Sequence, residues 1–203
     1  MTVKLILVRH GETEWNRKLK FKGSRDIELN ETGREQAEKL AERLSKKEID
    51  KIYTSDLKRA YNTGKEIAKR HDLEVEQIPD LKEISFGQWE GLTYKEIKEE
   101  CEFSVDDWSK DPVNNSVPGG ESLADVQTRV MPALEEIISK HQDEQIVIAA
   151  HGGVIKVLLG SLLEMPLKNC WSLEQDNTAV NIIKFYGEQI GFKLINSTAH
   201  LED

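Results

Sequence analysis

Residues 5–12 read LILVRHGE, a run of four apolar residues followed at once by an arginine, a histidine and a glycine. An uninterrupted apolar run is typical of a strand that is covered on both faces, as in a parallel sheet. Arg9 and His10 then lie at the carboxyl end of that strand. Ligands bind at this edge in open α/β sheets, so the stretch predicts both a fold class and the location of a site.

Strand and helix patterns alternate along the rest of the chain. The predicted strands are residues 5–8, 49–55, 73–78, 146–150, 179–186 and 192–196. The predicted helices begin after Asn30, Ser55, Thr93, Ser122 and Gly153. We expect Ser55 to cap its helix and the last two strands to pair antiparallel across a short turn. The pattern predicts a three-layer α/β/α sandwich with a mostly parallel central sheet, formed by residues 1–203 as one domain.

A loop-rich segment interrupts this alternation around residues 81–121. Two prolines and two glycines, Pro112, Pro118, Gly119 and Gly120, are concentrated near its end. Long irregular segments in compact domains commonly carry function. We therefore expect the segment to cover the substrate.

Composition narrows the possible partners. The chain has 203 residues, 38% of them hydrophobic, and a formal net charge of −9. It contains no long basic run that would follow a nucleic-acid backbone and no apolar run long enough to span a membrane. Its two cysteines are far apart, which favours a reducing, cytoplasmic setting. We expect a monomer or homodimer with a small-molecule substrate and no nucleic-acid or membrane partner.

The residues at the strand ends indicate phosphate chemistry. Arg9 supplies a permanent cation whose forked donors suit a phosphate group. His10 is a competent nucleophile near neutral pH, because the ordinary pKa of histidine is about 6.5. The neighbouring Gly11 would let the backbone approach a ligand closely. A second histidine, His151, follows the apolar strand at residues 146–150 and precedes two glycines, an arrangement that resembles an anion-binding helix start.

Four segments, in this order, resemble the histidine phosphatase superfamily, which includes the cofactor-dependent phosphoglycerate mutases. They are LVRHGETEWN at 7–16, SDLKRA at 55–60, LKEISFGQWEG at 81–91 and AHGG at 150–153. The resemblance extends from residue 5 to about residue 156. It implies a phosphoglycerate mutase-like fold, with His10 as the nucleophile, Glu83 as the proton donor to the leaving oxygen, and His151 as a third catalytic group. The residues that it implies as phosphate ligands are Arg9, Asn16, Arg59 and His151.

A metal site is the competing interpretation of this cluster, because His10, Glu83 and His151 are all residue types that bind zinc. Two arginines in the same cluster would repel a dication and attract an anion. We therefore predict no metal and no cofactor.

The most consistent prediction is a metal-independent phosphomonoester hydrolase, a phosphatase that acts on a small phosphorylated metabolite through a phosphohistidine on His10. One alternative is a cofactor-dependent phosphoglycerate mutase, although mutases of this family are longer and carry insertions that enclose the substrate. A second alternative is a catalytically degenerate binding protein, which would usually have lost a catalytic residue.

The resemblance leaves the substrate open among α-ribazole 5'-phosphate, phosphoserine and a broad range of esters. The predicted specificity residues are Phe21, Lys22, Phe86 and Trp108. The phosphoserine subgroup tends to carry a histidine near the position of Phe86, which makes phosphoserine the weaker candidate.

Overall fold

The computed structural model describes residues 2–202 and contains a six-stranded sheet. Its strands are β1 (Thr2–Arg9), β2 (Lys51–Thr54), β3 (Val75–Gln77), β4 (Gln145–Ala150), β5 (Val180–Tyr186) and β6 (Gln189–Ser197). They lie in the order β3-β2-β4-β1-β5-β6. The first four strands in this order pair parallel, and β5 and β6 are antiparallel to their neighbours. The predicted mostly parallel sheet and the antiparallel pair at the end of the chain are confirmed.

Seven α-helices connect and cover these strands in the described part of the chain. They are α1 (Glu14–Arg17), α2 (Glu31–Leu44), α3 (Lys58–Lys69), α4 (Tyr94–Glu100), α5 (Val105–Lys110), α6 (Leu123–Ser139) and α7 (Gly152–Leu162). Short 3-10 turns are found at Pro79–Leu81, Gly87–Trp89 and Leu167–Ser172. Thr93 and Ser122 form capping boxes at the starts of α4 and α6, as their sequence spacing predicts.

The prediction that Ser55 caps α3 is wrong. The helix begins only at Lys58, after Leu57, and has no side-chain cap. The Ser55 hydroxyl instead accepts a hydrogen bond from the Leu57 N–H at 3.2 Å. The chain therefore turns once more beyond β2 before the helix starts, and this turn places Arg59 in the first helical turn, beside the sheet edge.

The core consists of two apolar clusters, one on each face of the sheet. On β1 the side chains of Leu5 and Leu7 belong to one cluster and those of Ile6 and Val8 to the other. All four are fully buried. Burial on both faces explains why this strand reads as a continuous apolar run. It also confirms the three-layer arrangement.

The segment 81–121 is partly helical. It contains α4, α5 and one 3-10 turn, and it is irregular from Asp111 to Glu121. Trp89 and Trp108 anchor it in the larger apolar cluster. Its role in covering a substrate stays a prediction. Within residues 2–202, none of the helices combines the length and the apolar character that crossing a membrane requires.

Candidate active site

Strand register brings the two predicted histidines together. β1 and β4 are adjacent and parallel, with Arg9 opposite Ala150. His10 and His151 each follow one of these paired residues, so both lie at the carboxyl edge of the sheet. Their ring centroids are 5.3 Å apart. Both side chains are fully buried.

The backbone around His10 determines which nitrogen can react. His10 Nδ1 lies 2.6 Å from the carbonyl oxygen of Gly11. A carbonyl oxygen only accepts hydrogen bonds, so Nδ1 carries the proton in the neutral ring. Nε2 then bears the lone pair, and it has no hydrogen-bond partner in the described part of the chain. Nε2 is the atom available for nucleophilic attack.

Gly11 meets a packing requirement that the sequence did not reveal, and its predicted role in the approach of a ligand stays a prediction. A side-chain carbon at this position would lie 2.3 Å from the carbonyl oxygen of Gly33 in α2. The glycine thus allows β1 to end against the first turn of α2. The close approach is to backbone of the same chain.

Two arginines flank the histidines, and backbone carbonyl groups hold both of them. Arg9 donates through Nη1 to the Gln175 carbonyl oxygen. Arg59 donates through Nη1 to the Arg25 carbonyl at 2.6 Å and through Nη2 to the Gly23 carbonyl at 2.8 Å. These bonds fix the position of each guanidinium group without neutralising its charge. The positive charge therefore remains available to an anion.

Buried nitrogen atoms without a partner are concentrated on these four side chains. Among residues 2–202 they include Nε of Arg9, Nε2 of His10, Nε of Arg59, and both Nδ1 and Nε2 of His151. Leaving a buried polar group unsatisfied costs about 1–3 kcal/mol. The arginine nitrogens and the protonated nitrogen of His151 are donors, so the cluster indicates a site that binds a small anion with several acceptor oxygens beside the lone pair of His10 Nε2.

Burial and neighbouring positive charges both lower the pKa values of the two histidines. Burial lowers the pKa of His10 well below the ordinary histidine value, and the charges of Arg59 and Arg9 lower it further. The pKa of His151 is lowered well below that value for the same reasons. Both rings are therefore neutral at physiological pH in the ligand-free protein, and His10 keeps its lone pair.

We expect both rings to remain neutral at about pH 6, where an ordinary histidine would be mostly protonated. Nitrogen chemical shifts in a histidine-labelled sample, assigned with His10→Asn and His151→Asn variants, measure this directly. Because the unfolded chain takes up protons near pH 6.5 and these folded histidines do not, the free energy of unfolding should decrease as the pH falls below about 6.5. Titration of either ring near pH 6.5 would contradict the burial described here.

Glu83 faces the same space and is held by the start of α7. Its carboxylate accepts hydrogen bonds from the N–H groups of Ile84 at 3.0 Å, Gly153 at 3.2 Å and Val154 at 3.3 Å. A side-chain carbon at Gly153 would lie 2.7 Å from Glu83 Oε1. Gly153, two residues after His151, therefore makes room for this carboxylate, a constraint that the sequence alone did not reveal.

Arg129 in α6 positions the segment that carries Glu83, a role that no sequence pattern indicated. It pairs with Glu121 through Nε at 2.7 Å and Nη2 at 3.0 Å. Its Nη1 donates to the carbonyl oxygens of Asp80 at 2.6 Å and Lys82 at 2.8 Å. Glu121 in turn accepts from the Ser85 N–H at 2.9 Å. This network fixes the backbone on both sides of Glu83.

Glu90 joins the two halves of the site. Its Oε1 accepts from the N–H groups of Ser24 at 2.9 Å and Phe86 at 3.2 Å, and its Oε2 pairs with Arg25 Nε at 3.1 Å. It therefore ties residues 23–25, whose carbonyl groups hold Arg59, to the segment that contains Glu83. Glu90 lies inside the GQWEG stretch at residues 87–91, part of the segment whose family resemblance identified Glu83.

A cavity of about 300 Å³ opens beside these residues. Its lining residues are Arg9, Leu19, Lys20, Phe21, Lys22, Gly23, Glu83, Phe86, Gly152, Gly153, Lys156, Trp171 and Gln175. Three of the predicted specificity residues are among them. The fourth, Trp108, lies further inside, with its ring centroid 5.3 Å from that of Trp171 and 6.4 Å from that of Phe86. Lys156, Trp171 and Gln175 were not identified from the sequence.

Asn16 has a local structural role. Its Oδ1 accepts hydrogen bonds from the Thr13 N–H at 3.1 Å and the Thr13 hydroxyl at 2.8 Å, and so completes the capping box of α1. Only its amide nitrogen would be free to donate to a phosphoryl oxygen. Contact between Asn16 and substrate stays a prediction.

No group of three or more His, Cys, Asp or Glu side chains is arranged to hold a metal ion within residues 2–202. Whether turnover needs a metal is a separate question that chelation can answer.

Comparisons with known proteins agree with this geometry. Over 199 residues, the chain is 37% identical to phosphoserine phosphatase 1 of Hydrogenobacter thermophilus, covering 98% of this chain and 94% of the relative. It is 35% identical over 174 residues to the glucosyl-3-phosphoglycerate phosphatase of Mycobacterium tuberculosis, covering 82% of this chain and 78% of the relative.

A solved structure, YhfR of Bacillus stearothermophilus, superimposes with a TM-score of 0.92 at 33% identity, covering 98% of this chain and 100% of that chain. The family model for branch 1 of the histidine phosphatase superfamily matches residues 5–198. With nearly its whole length matched, this chain belongs to the histidine phosphatase superfamily.

Proposed function

We propose that the chain is a metal-independent phosphomonoesterase that hydrolyses a small phosphorylated metabolite through a phosphohistidine on His10. The observation that carries the proposal is the cluster of buried, unpartnered nitrogen atoms on Arg9, His10, Arg59 and His151. A phosphoryl group has the charge and the number of acceptor oxygens that such a cluster requires.

In the first step, the lone pair of His10 Nε2 attacks phosphorus while the ester P–O bond breaks. The leaving alcohol takes its proton from Glu83 or from a water that Glu83 positions. Charge that develops on the imidazole is stabilised by the Gly11 carbonyl at Nδ1–H. Arg9, Arg59 and His151 hold the equatorial oxygens, so catalysis consists largely of positioning and charge stabilisation.

In the second step, water attacks the phosphorus of the phosphohistidine. Glu83 takes a proton from this water, the N–P bond breaks and inorganic phosphate leaves. His10 returns to its neutral form with the lone pair again on Nε2. The two steps use Glu83 first as an acid and then as a base, which requires one carboxyl group that stays in place throughout.

Hydrolysis is favoured over phosphoryl transfer between substrate positions. The match to a relative named as a phosphatase covers 98% of this chain and 94% of the relative, so the two proteins are nearly the same size. A mutase must exclude water from its phosphoenzyme, and the long enclosing insertions of family mutases are absent from this sequence. Phosphoserine and glucosyl-3-phosphoglycerate are the first substrates to assay, because relatives are named for them.

Turnover should survive exhaustive chelation, because Arg9 and Arg59 provide the positive charge that a metal would otherwise supply. We expect phosphate release from phosphoserine, 3-phosphoglycerate and para-nitrophenyl phosphate to be unchanged after dialysis against EDTA. Addition of zinc or magnesium to the dialysed enzyme is the control. Activity that disappears on chelation and returns with metal would refute the proposal, as would absence of phosphate release from every ester.

We further propose that the enzyme works in the cytoplasm as a monomer or homodimer. Both cysteines, Cys101 and Cys170, are free thiols, as expected in a reducing compartment. Light scattering coupled to size-exclusion chromatography would determine the oligomeric state.

A further inference from the structure

Positive charge in the cavity exceeds what a phosphoryl group needs. Four cationic side chains line the cavity, against one acid, Glu83. Arg9 belongs to the phosphate site, and Lys20 is already engaged, since its Nζ donates to the Gly91 carbonyl at 2.7 Å and lies 4.0 Å from Glu96. Lys22 and Lys156 remain. A local excess of cations is notable in a chain whose formal net charge is −9.

Neither lysine forms an ion pair among the described residues. Burial, and after it the nearby charge of Arg9, lower the pKa of the Lys22 ammonium to about 8. Lys22 is thus a partly buried cation near Arg9 and Arg59, and the negative charge of Glu83 offsets only part of their effect on its pKa. Such a group is costly unless an anion of the substrate compensates it.

Lys156 is oriented by its helix and by Trp171. It lies one turn beyond Gly152 and Gly153 on α7, on the helix face that lines the cavity. Its Nζ donates to the Trp171 carbonyl at 3.3 Å and lies 5.0 Å from the centroid of the Trp171 ring. Both contacts leave further N–H donors on the ammonium group.

We propose that Lys22 and Lys156 form a subsite for a second anionic group of the substrate, a carboxylate close to the phosphate. This inference rests on the proposed phosphatase function. Phe21, Phe86 and Trp171 line the same cavity and would enclose the few carbon atoms between the two anions. The preferred substrates are then small phosphorylated acids. Neutral phosphate esters of the same size bind without this contact.

A matched pair of substrates isolates the carboxylate. 3-Phosphoglycerate and glycerol 3-phosphate share a three-carbon skeleton and differ by a carboxylate in place of a hydroxymethyl group. Hydrogen bonds to charged groups contribute enough to change kcat/KM by roughly 10- to 100-fold. We expect the wild type to prefer 3-phosphoglycerate by at least about tenfold.

Lys156→Met keeps the unbranched apolar stem of the side chain and removes the charged ammonium group. We expect kcat/KM for 3-phosphoglycerate to fall by roughly 10-fold or more, and kcat/KM for glycerol 3-phosphate to stay within about threefold. Lys22→Met should act in the same selective way. Lys140→Met is the control for net charge, because Lys140 lies at the end of α6 and pairs there with Glu136 at 2.6 Å.

The outcomes separate this inference from the proposed function. Equal rates on the two substrates, with normal hydrolysis of para-nitrophenyl phosphate, would overturn the subsite and leave the phosphatase intact. Equal losses on both substrates in both lysine variants would place these lysines in the phosphate clamp and also overturn the subsite. Absence of hydrolysis of all three esters would overturn the proposed function and the subsite with it.

Discussion

Replacing His10 with alanine should reduce turnover by at least about 10⁵-fold, because the variant has no atom that can form the N–P bond. In the wild type, rapid acid-free quenching with a labelled substrate should trap phosphate on the protein. That phosphate should be labile in acid and stable in base, the behaviour of a phosphohistidine, and it should be absent from the variant. Retained activity in His10→Ala would refute the mechanism.

The fold is expected to survive this substitution even though His10 is fully buried. Alanine removes packing contacts but also removes the unpartnered Nε2, so the two effects partly offset each other. The His10→Asn variant keeps more of the side-chain volume and serves as a second test. Circular dichroism and a thermal unfolding midpoint for both variants would show that lost activity is not lost structure.

The second large effect should come from Glu83→Gln and should depend on the leaving group. An alkyl alcohol is a poor leaving group and needs a proton as the ester bond breaks. We expect phosphoenzyme formation from phosphoserine to slow by roughly 10²- to 10⁴-fold in this variant. para-Nitrophenyl phosphate has a good leaving group, so it should lose much less in the same step.

Single-turnover rapid-quench measurements are needed, because Glu83 is also the proposed base of the second step and steady-state rates would mix the two roles. The structure adds a further reason. The carboxylate accepts three backbone N–H bonds, and a glutamine amide would direct its own N–H groups at some of these donors. Equal losses on the two substrates would show that Glu83 orients the site and does not deliver the proton.

The sequence predicted the parts of the site that are adjacent to apolar strands. β1 and β4 were predicted correctly because both are buried on two faces and therefore appear as continuous apolar runs. Their carboxyl ends lie at one edge of the sheet because the two strands are parallel. Edge elements were predicted less well. β3 extends only over Val75–Gln77, where residues 73–78 were expected, because the Leu73 N–H bonds back to the Ala68 carbonyl at the end of α3.

Partly buried charged residues were the main omission. Arg129 and Glu90 have sequence surroundings typical of exposed residues, and their roles depend on partners far along the chain. The separation between Arg129 and Asp80 is 49 residues, and that between Glu90 and Ser24 is 66. Lys156 was missed because the apolar periodicity that predicted its helix carries no information about the polar face on which it lies. Helical spacing from Gly152 would have placed it at the site.

The pairing of β1 with β4 also constrains how this chain can diverge by insertion and deletion. Side chains alternate between the two faces of a strand. Loss of one residue from β4 would therefore turn side chains that face one apolar cluster toward the other, and would move His151 out of alignment with His10. The turn at Gly187 lies at the opposite edge of the sheet, because Tyr186 pairs with Thr2, and its surroundings are open, although its φ of +63° favours glycine at that one position. Length variation among relatives should therefore accumulate at that turn and be absent from the two strands that carry the histidines.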